Sequence, residues 1–223
     1  MSIKLAVFDM AGTTVADKNF VALAFQKAFS NQGIEIDTDD ANPLMGYHKP
    51  LAFQMMLAKM GLQADAEFIE EIHADFENEM MDFYATAPEV KSMPGAEDFF
   101  LLLKERGVRV ALNTGFSKNI ADVIVERFQW KEKGLVDDYI GSNEVEMGRP
   151  YTFMIAELMK RAGVQDPNEV AKIGDTTVDI EEGINAGCRY VIGVTTGVCK
   201  EEELRLMNPT HIIHHLSELS AIL

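Results

Sequence analysis

An α/β fold, a doubly wound parallel sheet carrying an inserted all-helical block, is what this 223-residue sequence predicts, on three observations. From residue 93 onward, short apolar runs alternate with segments of helical period. Several of these runs stop at small polar clusters, where open α/β sheets place their chemistry. Between the first run and the rest lies a stretch, 36–88, with helical spacing and no convincing strand.

Taken in order, Leu5, Ala6, Val7 and Phe8 read as a buried strand that stops at a carboxylate, Asp9, with Ala11, Gly12, Thr13 and Thr14 behind it. A helix over 19–31 sets Phe20, Leu23, Ala24, Ala28 and Phe29 at helical spacing. Helices over 50–60 and 64–84 follow, the second with Phe68, Ile72, Phe76 and Met80 at four-residue steps. A helix over 95–106 ends at Gly107, and a strand over 108–112 runs into Asn113-Thr114-Gly115. Next come a helix over 118–128, a short strand over 138–140 and a helix over 152–162. A strand over 170–173 meets Gly174-Asp175-Thr176-Thr177, and a helix continues to Ala186. Strands over 190–194 and 210–213 and a terminal helix over 216–223 complete the chain. The alternation predicts a parallel sheet with helices on both faces. The expected division is a core of 1–15 and 89–223 and a helical cap of 16–88, a lid that leaves and re-enters beside Asp9 and can exclude water.

A hydrophobic content of 47% with 25% charged residues is ordinary for a soluble globular protein. The net charge of −16 argues against nucleic acid and anionic membrane surfaces as partners, since neither is attracted at long range. A small anionic substrate stays compatible, because a site can gather local positive potential from a cation, backbone N–H groups and one or two bases. Residues 1–10 enter a strand directly without a signal-peptide pattern, so the expected compartment is the cytoplasm. Cys188 and Cys199 are expected to be free thiols. The methionines of the cap are read as adaptable packing, with a homodimer surface as one use of them.

Chemistry gathers at the strand ends. Thr114 follows a core strand and precedes a helix, so its hydroxyl and the Gly115 N–H suit an anionic oxygen. Arg149, in Gly148-Arg149-Pro150, offers a fixed charge for a phosphoryl group. Asp175 and Asp179, with Asp9, make an oxygen-rich set suited to Mg²⁺. Singly, Asp9 reads equally well as a helix cap and Asp179 as a solvated acid; four such sites in order shift the balance to function. Two residues after Asp9 stands Ala11, which cannot transfer a proton, so the leaving group must be handled elsewhere.

The strings Asp9-Met-Ala-Gly-Thr-Thr, Asn113-Thr-Gly, Gly148-Arg-Pro and Gly174-Asp-Thr-Thr-Val-Asp resemble the four motifs of the haloacid dehalogenase superfamily, and within it the phosphonatase branch. Ala11 and Arg149, in place of the acid and the lysine of ordinary phosphatases, mark that branch. The resemblance implies a Rossmann-like core with a helical cap. It implies Asp9 as the nucleophile that forms an aspartyl phosphate, and Mg²⁺ held by Asp9, the carbonyl of Ala11 and Asp175 with Asp179 behind them. Thr114, Gly115 and Arg149 would hold phosphoryl oxygens. Met45-Gly46-Tyr47-His48-Lys49 resembles the segment whose lysine forms a Schiff base with the substrate aldehyde, which places Lys49 in that role and Met45 and His48 beside the substrate. An iminium at Lys49 accepts the electrons of a broken C–P bond, so Ala11 and Lys49 fit one mechanism. Pattern alone would make Lys49 a solvated residue before a proline-led helix.

Some positions depart from that branch: Ala52 stands where it has a histidine, Asn19 where it has a cysteine, Phe116 where it has a tyrosine, and Met10 where it has another aromatic residue. The expected activity is Mg²⁺-dependent cleavage of the C–P bond of phosphonoacetaldehyde or a related 2-oxoalkylphosphonate. The alternative is a phosphomonoesterase acting on a small phosphate ester such as a sugar phosphate. A receiver-type phospho-acceptor lacks its usual extra acids here, and haloacid dehalogenation has no use for the Asp175 metal site.

Overall fold

A computed structural model describes residues 2–223. Six parallel strands form one sheet: β1 (Leu5–Phe8), β2 (Arg109–Thr114), β3 (Asp138–Gly141), β4 (Val170–Gly174), β5 (Tyr190–Val194) and β6 (His211–Ile213). Their order is β3-β2-β1-β4-β5-β6, so the chain winds outward in one direction from β1, then returns beside it and winds the other way. The reversal puts the crevice of the sheet at the C-terminal ends of β1 and β4, where such folds bind ligands.

β1 is buried on both faces, which is why it reads as an unbroken apolar run. Ala6 and Phe8 join one core with Phe99, Phe100 and Ile120, supplied by α5 (Ala96–Glu105) and α6 (Lys118–Phe128). Leu5 and Val7 point the other way, toward Met154, Ile155 and Leu158 of α7 (Phe153–Ala162). The register sets Phe8 beside Leu112 of β2 and Ile173 of β4, so Asp9, Asn113 and Gly174 emerge at one level. The Asp9 N–H, bonded to the Ile173 carbonyl at 2.9 Å, extends the β1–β4 ladder to the site.

Between β1 and β2 lie α1 (Phe20–Asn31), α2 (Thr38–Ala41), α3 (Lys49–Lys59) and α4 (Ala66–Thr86). Their own core is aromatic: Phe25 stacks on Phe53 with centroids 4.4 Å apart, and Phe76 meets Phe53 edge-on at 5.8 Å. The outgoing and returning connections run side by side, joined by Ala16 N–H to Lys91 O (2.9 Å) and Met93 N–H to Thr14 O (2.8 Å). Arg127 of α6 donates to the carbonyls of Ala85 and Ala87, fastening the end of α4 to the sheet layer.

Two local features differ from the sequence expectation. The terminal segment Leu216–Ala221 is a 3₁₀-helix, not the α-helix expected over 216–223: Glu218 takes the N–H groups of His214 and His215, and the tighter turn suits a segment this short. A further helix, α9 (Glu201–Leu206), follows β5; three glutamates in its first turn complement the helix dipole. α8 (Thr177–Asn185) packs on β4 and β5, and Cys188 and Cys199 are free. No helix among the described residues is long and apolar enough to cross a membrane.

Candidate active site

At the β1–β4 crevice, one cavity is lined from the sheet side by Asp9, Ala11, Thr114, Gly115, Arg149 and Asp175. From the helical block, Asp17, Met45, Gly46 and Lys49 complete its wall. His48 is expected beside the substrate, and Asp179 behind the acids of the lining. His48 is outside the lining, against Gly148, and Asp179 sits fully buried beneath Arg149.

The strand ends aim the polar groups inward. Gly12 turns the chain after β1 with φ 87°, and a Cβ there would stand 2.5 Å from Asp175 Oδ2, so the loop closes directly on that acid. Asp175 is held by the Thr13 hydroxyl at 2.9 Å and the Val198 N–H at 3.0 Å. Thr176 caps α8 reciprocally with Asp179, whose Oδ2 accepts the Thr176 hydroxyl at 2.6 Å. Thr114 Oγ1 accepts the Phe116 N–H at 3.2 Å.

Arg149 is 1% exposed and ties the acids together. It lies 2.7 Å from Asp9, 2.8 Å from Asp179 and 3.3 Å from Glu182. Lys172, inside β4 and fully buried, reaches Asp179 at 2.8 Å and Glu182 at 3.3 Å. Asn113 joins the set: its side-chain Oδ1 accepts from Lys172 (2.6 Å) and Arg149 (2.9 Å), and its Nδ2 donates to both oxygens of Glu182 (2.9 Å).

Asp9, Asp175 and Asp179 each offer an oxygen within 4.8 Å of the others. Burial, followed by repulsion from Asp9 and Asp179, raises Asp175 well above the carboxylate range. Burial likewise pushes Asp9 up to about 6 against the pull of Arg149. When all are ionised, four carboxylates (these three and Glu182) face two fixed cations, Arg149 and Lys172, leaving an excess of two negative charges. A hard divalent cation matches that donor set and that charge.

Lys49, the first residue of α3, is 1% exposed. Its Nζ donates to the Met45 carbonyl at 2.6 Å and lies over the rings of Phe116 (5.4 Å) and Phe76 (5.9 Å). Burial lowers its pKa to about 7, the nearby Asp9 opposing and Arg149 assisting. Segment 45–47 is pressed on the sheet side: a Cβ on Gly115 would stand 2.5 Å from the Tyr47 carbonyl oxygen.

A family model for the haloacid dehalogenase-like hydrolases matches residues 3–187. The chain is 31% identical over 232 residues to a phosphonoacetaldehyde hydrolase of Bacillus mycoides (strain KBAB4), covering 95% of this chain and 84% of that one. The chain is a haloacid dehalogenase-like hydrolase of the phosphonatase-like branch. Among solved structures, this hydrolase superposes on a phosphonoacetaldehyde hydrolase-like protein from Oleispira antarctica with TM-score 0.85 and 22% identity, covering 100% of this chain and 91% of that one. A protein from Haemophilus somnus described as a predicted phosphoglycolate phosphatase shares the fold with TM-score 0.79 and 17% identity, over 100% and 98% of the two chains.

Three residues of this hydrolase's site were not expected from its sequence: Asp17, Lys172 and Glu182. Lys172 had a signal, a lone lysine within the apolar strand Val170-Ala-Lys-Ile-Gly174. Glu182 stands three residues after Asp179, on the same face of α8. Asp17 has only the signature of a helix cap: its Oδ1 accepts the Phe20 N–H at 2.7 Å.

Proposed function

We propose that this hydrolase cleaves the C–P bond of phosphonoacetaldehyde or a related 2-oxoalkylphosphonate. In this reading Asp9 attacks phosphorus to form an aspartyl phosphate, and Lys49 holds the carbonyl end as an iminium. Arg149, Thr114 and the Gly115 N–H receive phosphoryl oxygens, and Met45 flanks the carbonyl end. Asp9, Asp175 and the Ala11 carbonyl would hold Mg²⁺, with Asp179 behind them; the ion would offset the charge repulsion between a carboxylate nucleophile and a phosphoryl dianion. The helical segment 16–88 acts as the cap that shuts water out of the cleft.

The observation that carries this reading is the position of Lys49. Its amine is buried in the cavity that contains Asp9, with its pKa near 7, so a nucleophilic neutral amine is available at working pH. Ala11, in the same lining, offers no proton for an alkoxide leaving group. Iminium formation removes that need: the C–P pair becomes the C=C bond of an enamine as the C=N pair moves to nitrogen.

Incubation with phosphonoacetaldehyde followed by borohydride tests it. The expected result is inactivation with a stable mass increase on Lys49, and phosphate release that is lost in Lys49→Ala. Phosphate release from sugar phosphates, with no adduct on Lys49, would overturn it in favour of a phosphomonoesterase.

A further inference from the structure

Building and dismantling an iminium requires proton transfers that the residues assigned above do not perform. After the neutral Lys49 amine adds to a carbonyl and a proton passes from nitrogen to oxygen, the neutral carbinolamine must expel its hydroxyl. Hydroxide is a poor leaving group, so an acid must protonate it as it departs. On the way out, a base must take a proton from the water that attacks the iminium. Three carboxyl groups line the cavity. Asp9 is the acid committed to phosphorus, and Arg149 sits on it. Asp175 has both oxygens occupied, by Thr13 and Val198. Neither His48 nor His73 is in the lining. Asp17 remains.

Asp17 sits where the chain passes from the β1 loop into α1, and it lines the same cavity as Lys49. Its carboxyl accepts backbone N–H groups at the start of α1, and no cation lies within salt-bridge distance among the described residues. The groups that face it electrostatically are the Lys49 amine and, from α4, the buried Tyr84 hydroxyl. Burial lifts its pKa above the ordinary carboxylate value, while the N–H groups of Phe20 and Val21 and then the Lys49 charge pull it back.

We infer that Asp17 is the proton donor and acceptor of the Lys49 step, an assignment that rests on the reading of Lys49 proposed above. The Asp17 carboxylic acid gives its proton to the carbinolamine hydroxyl. The C–O bond breaks, the nitrogen lone pair forms C=N, and the products are iminium, water and the Asp17 carboxylate. Phosphoryl transfer to Asp9 then leaves the enamine, whose carbon takes a proton from water; hydrolysis of the aspartyl phosphate supplies the proton that neutralises the hydroxide formed. Water next adds to the new iminium and loses a proton to Asp17, and the carbinolamine collapses to aldehyde and free amine. Asp17 begins and ends the cycle protonated.

The test separates this role from helix capping. Asparagine caps a helix about as well as aspartate, so Asp17→Asn keeps the Phe20 contact and removes only the exchangeable proton. The rate of borohydride-trapped adduct on Lys49, followed by mass spectrometry with phosphonoacetaldehyde, is expected to fall at least about 100-fold in Asp17→Asn. Orthovanadate affinity should stay unchanged. In Asp17→Ser, which also caps, added formate should restore part of the trapping rate. Wild-type trapping rates in both variants would overturn the assignment while leaving Lys49 in its role. Absence of any adduct in the wild-type enzyme would instead overturn the Lys49 reading, and this one with it.

Discussion

Arg149 Nη2 lies 2.7 Å from Asp9 Oδ1, so the fixed cation of the site rests on the carboxylate that follows β1. That contact offsets one negative charge of a buried cluster that, when all its acids are ionised, holds two more than its cations balance. A divalent cation therefore should stabilise the folded protein by preferential binding. At about 100 times its dissociation constant, Mg²⁺ should add ~2.7 kcal/mol. For a chain of this size that raises Tm by roughly 5 °C or more. Differential scanning fluorimetry with and without Mg²⁺, in protein treated with a chelator, measures the shift. Asp175→Asn should lose most of it; an unchanged Tm on adding Mg²⁺ would refute the metal assignment.

The Lys49 amine sets a second expectation, on pH. Burial lowers its pKa from 10.5 to about 7, so the neutral nucleophile accumulates as pH rises through 7 and is depleted below it. Relative to a solvated lysine, the neutral fraction at pH 7 is greater by on the order of a thousandfold. In Asp17→Asn, where the titration of Asp17 is removed, borohydride trapping measured without metal should rise through a midpoint near 7 and then level off. A midpoint above 9 would place the amine in water.

Gly115 makes the seam between segment 45–47 and the strand ends testable. Its backbone has no positive φ, so alanine there brings only bulk, a methyl group 2.5 Å from the Tyr47 carbonyl oxygen and 2.9 Å from that of Gly46. The Lys49 segment would have to lift from the strand ends. Gly115→Ala should lower turnover and the rate of adduct formation at least tenfold, since a shift of about 1 Å in a reacting group costs up to a hundredfold. Far-UV circular dichroism should stay as in the wild type. Normal turnover in this variant would show that the seam does not position the amine.

The central strands β1, β2, β4 and β5 were legible because they are mostly buried and appear as apolar runs, and because Asp9, Thr114 and Asp175 stand at the ends of three of them. Lys49 was less so. Its neighbours in sequence describe an ordinary helix start, and its burial comes from Phe76 and Phe116, distant in the chain, which only the fold brings together. Likeness to a known motif could point to it; periodicity could not. Asp17 is more opaque still, since a capping acid at the start of a solvent-facing helix and one in the lining of a cavity share the same local pattern.

Lys172 shows how much of the site depends on a residue that touches no substrate. It is fully buried in β4 and contacts Asp179 (2.8 Å), Glu182 (3.3 Å) and Asn113 (2.6 Å), three of the groups that also hold Arg149. In the role proposed for it, Arg149 would turn toward a phosphoryl group and leave acids that need another cation, and Lys172 is the cation beside them. Lys172→Met preserves the apolar stem of the side chain and removes the charge, leaving Asp179 and Glu182 under-compensated in a dry interior. Breaking a buried pair in this way costs about 3–5 kcal/mol. The midpoint of urea unfolding should fall accordingly, and Arg149, drawn more tightly to Asp179 and Glu182, should bind orthovanadate more weakly. The double variant Lys172→Met/Glu182→Gln removes one uncompensated acid with the cation, so it should recover part of the lost stability. Additive losses in that pair would mean that Lys172 and Glu182 do not compensate one another.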